Sequence, residues 1–489
     1  MTSTVKLDQE LDRHRFFING EWAEPSATKS HQVVEAATGE VLASASLGTS
    51  QDIDRAVRAA RHALDHGPWR RTEPVERAVA MRRFATALEA RADATSTLVS
   101  RENGMPIALS HAFNGAAPAA LLRMYADLAE TLAVEAPRPS ASGTTFVRRE
   151  PVGVVGAITP WNYPQAVAIY KIGPALAAGC TVVLKHSPDT ALDSYVLGEA
   201  AEEAELPPGV LNIVLADRDE GQSLVTHPLV DKIAFTGSTA AGRIIGAECG
   251  RLVRRCTLEL GGKSAAIFCD DGDLDTLLAG IGNASFMNNS QTCTTQSRIL
   301  VSRQRYDEVV EAVAQYARDL VVGDPLDENT TCGPMASKHH LARVMGYIEI
   351  GKSSAARLVA GGGRPKDADR GWFVEPTVFV DVDNADQLAR EEVFGPVMAI
   401  IPFQDDADAV RIANDSNYGL GGSVWSQDSD RALAIARQVR TGTVGVNSYN
   451  IDLGAPFGGM KDSGIGRELG PEAIDAYLEY KSIYTSLPS

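Results

Sequence analysis

Cysteine is scarce in this chain, with 6 among 489 residues. That is far below a disulfide scaffold, and no two of the six have the close spacing of a zinc site. A reducing, cytoplasmic setting is expected, with no metal. Basic residues are also in deficit. The net charge of -17 excludes an extended nucleic-acid surface, which needs a basic face. It leaves room for an anionic cofactor, because a few N–H groups at a helix start hold phosphate locally. A long unbroken apolar run is missing as well. Val152 to Tyr170 carries no charge, yet Pro160, Asn162, Pro164 and Gln165 interrupt it. It reads as a strand entering a loop and helix, and no membrane partner is expected. Met1 to Asp8 is polar and lacks the apolar core of a signal peptide. Internal repeats, low-complexity tracts and the G-x-G-x-x-G dinucleotide fingerprint are all absent.

The composition itself is ordinary, at 44% hydrophobic and 22% charged residues, and the length suffices for two or three domains around a large core. Residues 50–133 show apolar positions at three- and four-residue spacing, the mark of amphipathic helices. Ala136-Pro137-Arg138-Pro139-Ser140 then breaks the pattern as a linker or protruding arm. Beyond Val152, apolar strands at 153–158, 181–184, 210–214 and 232–235 alternate with helical stretches at 167–178 and 194–204. This alternation predicts a parallel, doubly wound sheet. A second α/β block runs from Glu259 to about residue 470, with strands near Ile299-Leu300-Val301 and Val397 to Ile401.

Two residues carry the chemistry. Cys293 lies among small hydroxylated neighbours, Ser290-Gln291-Thr292-Cys293-Thr294-Thr295, which leave its sulfur accessible for attack on a carbonyl. Glu259 precedes Leu260-Gly261-Gly262, so little bulk hinders a carboxylate acting as a base towards water. Most free cysteines are buried filler, and Cys180 and Cys269 beside apolar runs fit that description. A cofactor signal follows the strand at 232–235, where Phe235-Thr236-Gly237-Ser238-Thr239 opens a helix and frees N–H groups for an anion. None of the 9 histidines sits in a catalytic-looking motif, and His339-His340 reads as a solvated helix pair.

Taken in order, Pro160-Trp161-Asn162-Tyr163-Pro164, Phe235-Thr236-Gly237-Ser238-Thr239, Glu259-Leu260-Gly261-Gly262-Lys263, Gln291-Thr292-Cys293, Glu391-Glu392-Val393-Phe394-Gly395-Pro396 and Pro456-Phe457-Gly458-Gly459 resemble the NAD(P)-dependent aldehyde dehydrogenase superfamily over nearly the whole chain. The resemblance implies an α/β fold of two doubly wound Rossmann-like domains plus a small β oligomerisation arm. The cofactor domain would take residues 1–129 and 151–260, the arm 130–150 and 475–489, and the catalytic domain 261–474. It implies Cys293 as nucleophile, Glu259 as general base and Asn162 as oxyanion donor. Ile158, Thr159, Pro160, Trp161, Lys185, Ser187, Gly221, Phe235, Thr236, Gly237, Ser238, Gly242, Leu260, Gly261, Glu392 and Phe394 would hold NAD, with NADP as the alternative. The aldehyde tunnel would be lined by Tyr163, Ala166, Val167, Tyr170, Met287, Thr292 and Phe457, with Asp452 near its mouth.

Two positions depart from the family. Pro188 replaces the glutamate that often binds the ribose 2′-hydroxyl, which leaves NAD and NADP both open. Ser290 replaces a glycine three residues before the nucleophile. The mostly apolar tunnel implies a medium-chain aliphatic, terpenoid or aromatic aldehyde. A CoA-acylating relative would lack Glu259, a non-catalytic paralogue would have lost Cys293 or Glu259, and a cysteine hydrolase would need a histidine partner. By the same resemblance the protein is a homodimer or homotetramer joined through its arm.

Overall fold

The computed structural model describes residues 11–141 and 143–486; the polar segment Met1 to Asp8 lies outside the described residues. In chain order the hairpin β1 (Phe16–Ile18) and β2 (Glu21–Ala23) is followed by the hairpin β3 (Ser30–Val34) and β4 (Val41–Ser46). A helical layer comes next. Its first helix, Ser50–Asp65, starts at Thr49, whose side chain accepts from Gln51 N–H while Asp52 bonds back to the Thr49 N–H. Ile53, Ala56, Val57, Ala60 and Leu64 are its buried stripe, at the spacing of one helix face.

The segment expected to form a linker or arm is a hairpin, β5 (Glu135–Ser140) and β6 (Gly143–Pro151). Five parallel strands follow: β7 (Val154–Ile158), β8 (Thr181–His186), β9 (Leu211–Leu215), β10 (Lys232–Thr236) and β11 (Arg255–Glu259). Gly153 falls outside β7. Its φ of 135° places it against the Asp231 carboxylate, where a side chain would collide. The helix after β7 begins at Pro164, three residues before the expected start, because proline suits the first helical position.

The second block contains β12 (Ala265–Phe268), β13 (Arg298–Ser302), β14 (Arg357–Ala360), β15 (Thr377–Val380), β16 (Val397–Phe403), β17 (Gly422–Trp425) and β18 (Gly445–Val446). The chain ends with β19 (Gly464–Ile465) and β20 (Leu478–Thr485). The first sheet has the order β19-β11-β10-β7-β8-β9-β1-β2, the second β14-β15-β16-β13-β12-β17-β18, and β20-β6-β5 form an antiparallel third. Two doubly wound α/β units and a small β arm are therefore present. Strand order reverses beside β7, with β8 on one side and β10 on the other. Ligand crevices open at such switch points, at the carboxyl ends of the strands. Among the described residues, no helix is long and apolar enough to cross a membrane.

Arg298, at the start of β13, is 2% exposed. Its guanidinium donates to the carbonyls of Lys263, Ile412 and Ala413 and to Asn384 Oδ1, at 2.9–3.0 Å. These bonds tie the start of β13 to the turn before β12 and to the last turn of the helix Asp406–Asn414. Arg298→Met keeps bulk but strands three buried carbonyls, so it should lower unfolding free energy by at least about 3 kcal/mol. Denaturant melts of the two proteins would show the difference.

Candidate active site

A cleft of about 320 Å³ opens at the switch point. Its walls bring together Pro160, Trp161, Asn162 and Tyr163 from the loop after β7, Val167 and Tyr170 from the next helix, and Thr236, Gly237 and Ser238 after β10. Glu259, Leu260 and Gly261 enter from the end of β11, and Met287, Thr292, Cys293, Glu392, Phe394 and Phe457 from the second block. Ala166 does not line it. It is fully buried in the hydrophobic core, because one residue of helix turns its side chain about 100° away from that of Val167. Ile158, Thr159, Lys185, Ser187, Gly221, Phe235 and Gly242 lie outside the cleft walls. Ile158 pairs with Lys185 at the ends of β7 and β8, one step from the switch point. Asp452 is exposed, and its neighbour Ile451 takes the place at the wall.

Cys293 sits on an irregular loop that follows three consecutive left-handed residues, Asn288, Asn289 and Ser290, with φ of 53°, 58° and 57°. Such conformations cost free energy outside glycine, and a dense set of bonds holds them. Asn289 Nδ2 donates to the carbonyls of Gly104 (2.8 Å) and Pro334 (3.0 Å), and its Oδ1 accepts from Gly333 N–H at 2.6 Å. Asn288 Nδ2 donates to Asn162 O at 3.1 Å, and Ser290 Oγ to Ser285 O at 2.7 Å. Ser290 thus bears a conformation that glycine would adopt without strain. Asn162 Nδ2 donates to Gln291 O at 3.0 Å, so this amide already lies beside the nucleophile loop. The Cys293 thiol is held above its usual range, first by burial and then by the carboxylates of Glu392 and Glu259; the N–H groups of Cys293 and Thr294 oppose the shift.

Glu259 is 3% exposed, and neither of its oxygens has a hydrogen-bond partner among the described residues. Burial raises its carboxyl well above the ordinary range, the Glu468 carboxylate adds to this, and Lys171 and Arg467 oppose it. Lys171 Nζ contacts Glu468 Oε1 at 2.6 Å and donates to Thr236 Oγ1 at 2.7 Å. Room for Glu259 is made by glycine. A Cβ on Gly458 would come within 2.5 Å of Glu259 Oε1. Glu392 accepts from Gly262 N–H at 2.9 Å, and burial lifts its carboxyl to about 7.

Sequence reasoning missed Phe113, His340, Arg343, Ile451 and Glu468 in the cleft wall, and Lys171 behind it. A charged residue inside the apolar run Ile169-Tyr170-Lys171-Ile172 was the one available signal for Lys171. His340 corrects the reading of a solvated pair: His339 is exposed, but His340 is buried. Its Nε2 donates to Phe394 O at 2.7 Å, and burial lowers its pKa to about 4, so the ring is neutral. It steadies Phe394, itself left-handed at φ 64° and edge-on to Trp161 at 5.5 Å. On the tunnel side, Tyr163 OH pairs with Thr292 Oγ1 at 2.8 Å, and Phe113 meets the Tyr163 ring edge-on at 5.2 Å.

A thiol and an unpaired carboxylate in one crevice of a doubly wound sheet define an enzyme of covalent carbonyl chemistry. The chain belongs to the aldehyde dehydrogenase family, which it matches over residues 22–483. It is 55% identical to the geranial dehydrogenase of Castellaniella defragrans, covering 97% of this chain and 99% of that one. Identity to the phenylacetaldehyde dehydrogenase of Pseudomonas fluorescens is 41%, over 96% and 95% of the two chains. The structure superposes on the Mycobacterium tuberculosis aldehyde dehydrogenase complexed with NAD+ with a TM-score of 0.94 and 44% identity, covering 96% and 98%.

A Cβ on Gly262 would lie 2.4 Å from the Cys293 carbonyl oxygen. Gly262→Ala must therefore displace the nucleophile loop, and turnover should fall by about 10²-fold, the usual effect of a shift near 1 Å at the reacting centre. Steady-state kinetics together with an unchanged far-UV spectrum would establish it.

Proposed function

We propose that this protein oxidises an apolar aldehyde to the carboxylic acid with NAD, using Cys293 as nucleophile, Glu259 as general base and Asn162 as oxyanion donor. The observation that carries this reading is the pair formed by Cys293 and the buried, unpaired Glu259 carboxylate in one cleft. The Cys293 sulfur attacks the aldehyde carbon, and the developing oxyanion takes hydrogen bonds from Asn162 Nδ2 and the Cys293 N–H. NAD, held by the Gly237-Ser238 turn, Glu392 and Phe394, would supply the hydride acceptor for that carbon, which would leave the Cys293 sulfur as a thioester. Glu259 then takes a proton from water, which attacks the thioester and releases the acid.

The site suits such a cofactor. Ser238 caps the helix Thr239–Arg251 and accepts from Ala241 N–H, which turns a helix N-terminus towards the cleft for a pyrophosphate. Lys185 is 8% exposed, and burial lowers its pKa to about 8, so an anionic or hydroxyl-bearing ligand would relieve its desolvation. The NAD+ complex of the Mycobacterium relative supports NAD; Pro188 sets no carboxylate against a 2′-phosphate, so NADP remains compatible.

Val167, Met287, Ile451 and Phe457 with the tyrosine rings give the tunnel an apolar wall. The names of the Castellaniella and Pseudomonas relatives support a terpenoid or aromatic aldehyde. The presence of Glu259 favours hydrolysis over transfer to CoA. A cytoplasmic protein fits the six free cysteines.

Assembly through the arm belongs to the same reading. Leu478 is buried, but Tyr480, Ile483 and Tyr484 of β20 are 55%, 41% and 80% exposed, and both outer strands of the arm leave an edge open. An unpartnered edge with apolar side chains invites pairing, so a homodimer or homotetramer is proposed. Removing β20 should yield aggregate or unstable monomer. Light scattering that found full-length, active monomer at micromolar concentration would overturn the assembly.

Glu259→Gln keeps the shape but takes no proton. It should preserve a burst of reduced cofactor, abolish steady turnover, and leave an acyl adduct on Cys293 visible by mass spectrometry; Cys293→Ala should lose the burst too. In the wild type, the raised Glu259 must be deprotonated to act, so turnover should fall as pH drops through a midpoint above the ordinary carboxylate range. Loss of the burst in Glu259→Gln would place this residue before hydride transfer and sink the assignment.

A further inference from the structure

A second cavity of about 320 Å³ lies away from the cleft, where the arm joins the helical layer. Its wall is made by the turn before the helix Pro74–Glu89, the first turn of that helix, β6 and the start of β20. It holds five arginines, Arg70, Arg71, Arg77, Arg148 and Arg149, against two carboxylates, Glu73 and Glu150. This basic excess runs against the net charge of the chain, -17. The two arginines of β6 are engaged within the arm. Arg148 meets Glu150 at 3.3 Å and Glu135 at 3.5 Å. Arg149 Nη1 donates to Ala133 O at 3.2 Å, and its guanidinium stands over the Tyr480 ring. Lys481 Nζ takes Glu150 at 2.7 and 2.8 Å, so Arg70 meets that carboxylate only at 3.8 Å. Arg71 and Arg77 have no carboxylate within ion-pair distance among the described residues. Arg71 reaches only the carbonyls of His66 and Gly67, at 3.4 and 3.5 Å. Arg77 is 5% exposed and donates to the carbonyls of Ala177 and Thr72. A guanidinium keeps its charge in such surroundings, and a buried charge is costly unless an opposite charge offsets it.

We propose that this cavity binds a phosphate group, as the free ion or on a small molecule, at a site separate from the cofactor cleft. Guanidinium forks present paired donors that match phosphate oxygens. Arg70, Arg71 and Arg77 leave positive charge that the wall does not balance. A phosphate group, with about two negative charges at neutral pH, offsets more of it than a single carboxylate does. The volume is many times the ~30 Å³ share of a water molecule, which leaves space for a phosphate and a substituent. Trp69, 1% exposed, anchors the short turn Trp69–Arg71, so the two arginines beside it are presented from a fixed base. An anion held there joins that turn, the helix Pro74–Glu89 and the root of the arm through one ligand. Occupancy therefore stabilises the folded chain against heat.

Full-length protein in about 0.15 M chloride, which screens diffuse surface charge, would be titrated calorimetrically with inorganic phosphate, glycerol phosphate and acetate. NAD would be kept in excess throughout, so that the cofactor cleft is closed to the titrant. The expected result is one phosphate site per chain, a rise in Tm with phosphate, and acetate binding weaker by about tenfold or more. Tighter binding of glycerol phosphate would identify an organic phosphate as the occupant, and tighter binding of inorganic phosphate the free ion; either order supports the site. Arg70 and Arg71 are exposed, so the double variant Arg70→Gln, Arg71→Gln should fold. It should bind phosphate about tenfold or more weaker and lose the rise in Tm. Arg77→Lys keeps the charge but not the fork and should also weaken binding. Arg357→Gln, on β14 of the second unit, should bind as the wild type does. Absence of saturable phosphate binding, as when an acidic side chain of a partner subunit fills the cavity, would overturn the proposal. Equal affinity in the wild type and the double variant, or acetate binding as tight as phosphate, would overturn it too.

Discussion

Burial of charge is the constraint on which the rest of this structure depends. Three carboxylates, Glu259, Glu392 and Glu468, stand at the wall of one cleft. Glu468 holds a direct cation, Lys171. Among the described residues, Glu392 is met by one backbone N–H, and the Glu259 oxygens have no hydrogen-bond partner. A carboxylate left in that condition is favoured to gain a proton, which is what a base must do when water is its substrate. The surrounding structure keeps Glu259 in this state. Gly458 clears the space beside Glu259 and Gly261 that beside Glu392, while Lys171 is anchored to Thr236 and Glu468 instead of neutralising Glu259 outright.

The nucleophile loop answers to the same constraint from the other side. A sulfur that must approach a carbonyl has to be fixed in place, and the loop reaches its position through three left-handed residues. The amides of Asn288 and Asn289 hold it, with Gln291 Oε1 accepting from Ala336 N–H at 2.9 Å. These bonds reach from the loop to Gly104 of the helical layer and to Gly333, Pro334 and Ala336 of the second unit. The two α/β units therefore meet at the place where the sulfur is set.

Much of this was legible in the sequence, and the reasons for what was not are physical. The parallel strands β7 to β10 were visible because each is a short apolar run between turn residues; β11, Arg255-Cys256-Thr257-Leu258-Glu259, went unread because polar residues at both ends hide its buried half. The arm was visible only as a break in composition, since Pro137 and Pro139 argue against strand pairing until β6 is there to pair with. Cys293 and Glu259 stood out because each keeps small neighbours. His340 and Lys171 did not, because a polar residue buried by contacts distant in sequence looks the same on paper as a solvated one. Ala166 stands outside the cleft wall for a related reason: identity in a motif gives a position along a helix, and only the packed helix gives the direction it faces.

The two residues of β19 have a consequence for how the protein is made. They pair with β11 through Leu258↔Ile465 and Glu259↔Gly464, so the outer strand of the first sheet comes from the far end of the chain. At about 5–20 residues per second, synthesis runs for roughly 10 s or more between the emergence of Glu259 and that of Ile465. Throughout that interval the nascent sheet presents β11 as an open edge, with Glu259 at its carboxyl end. A chain that stops before Gly464 keeps that edge open, and an unpaired strand edge is a template for pairing with other chains.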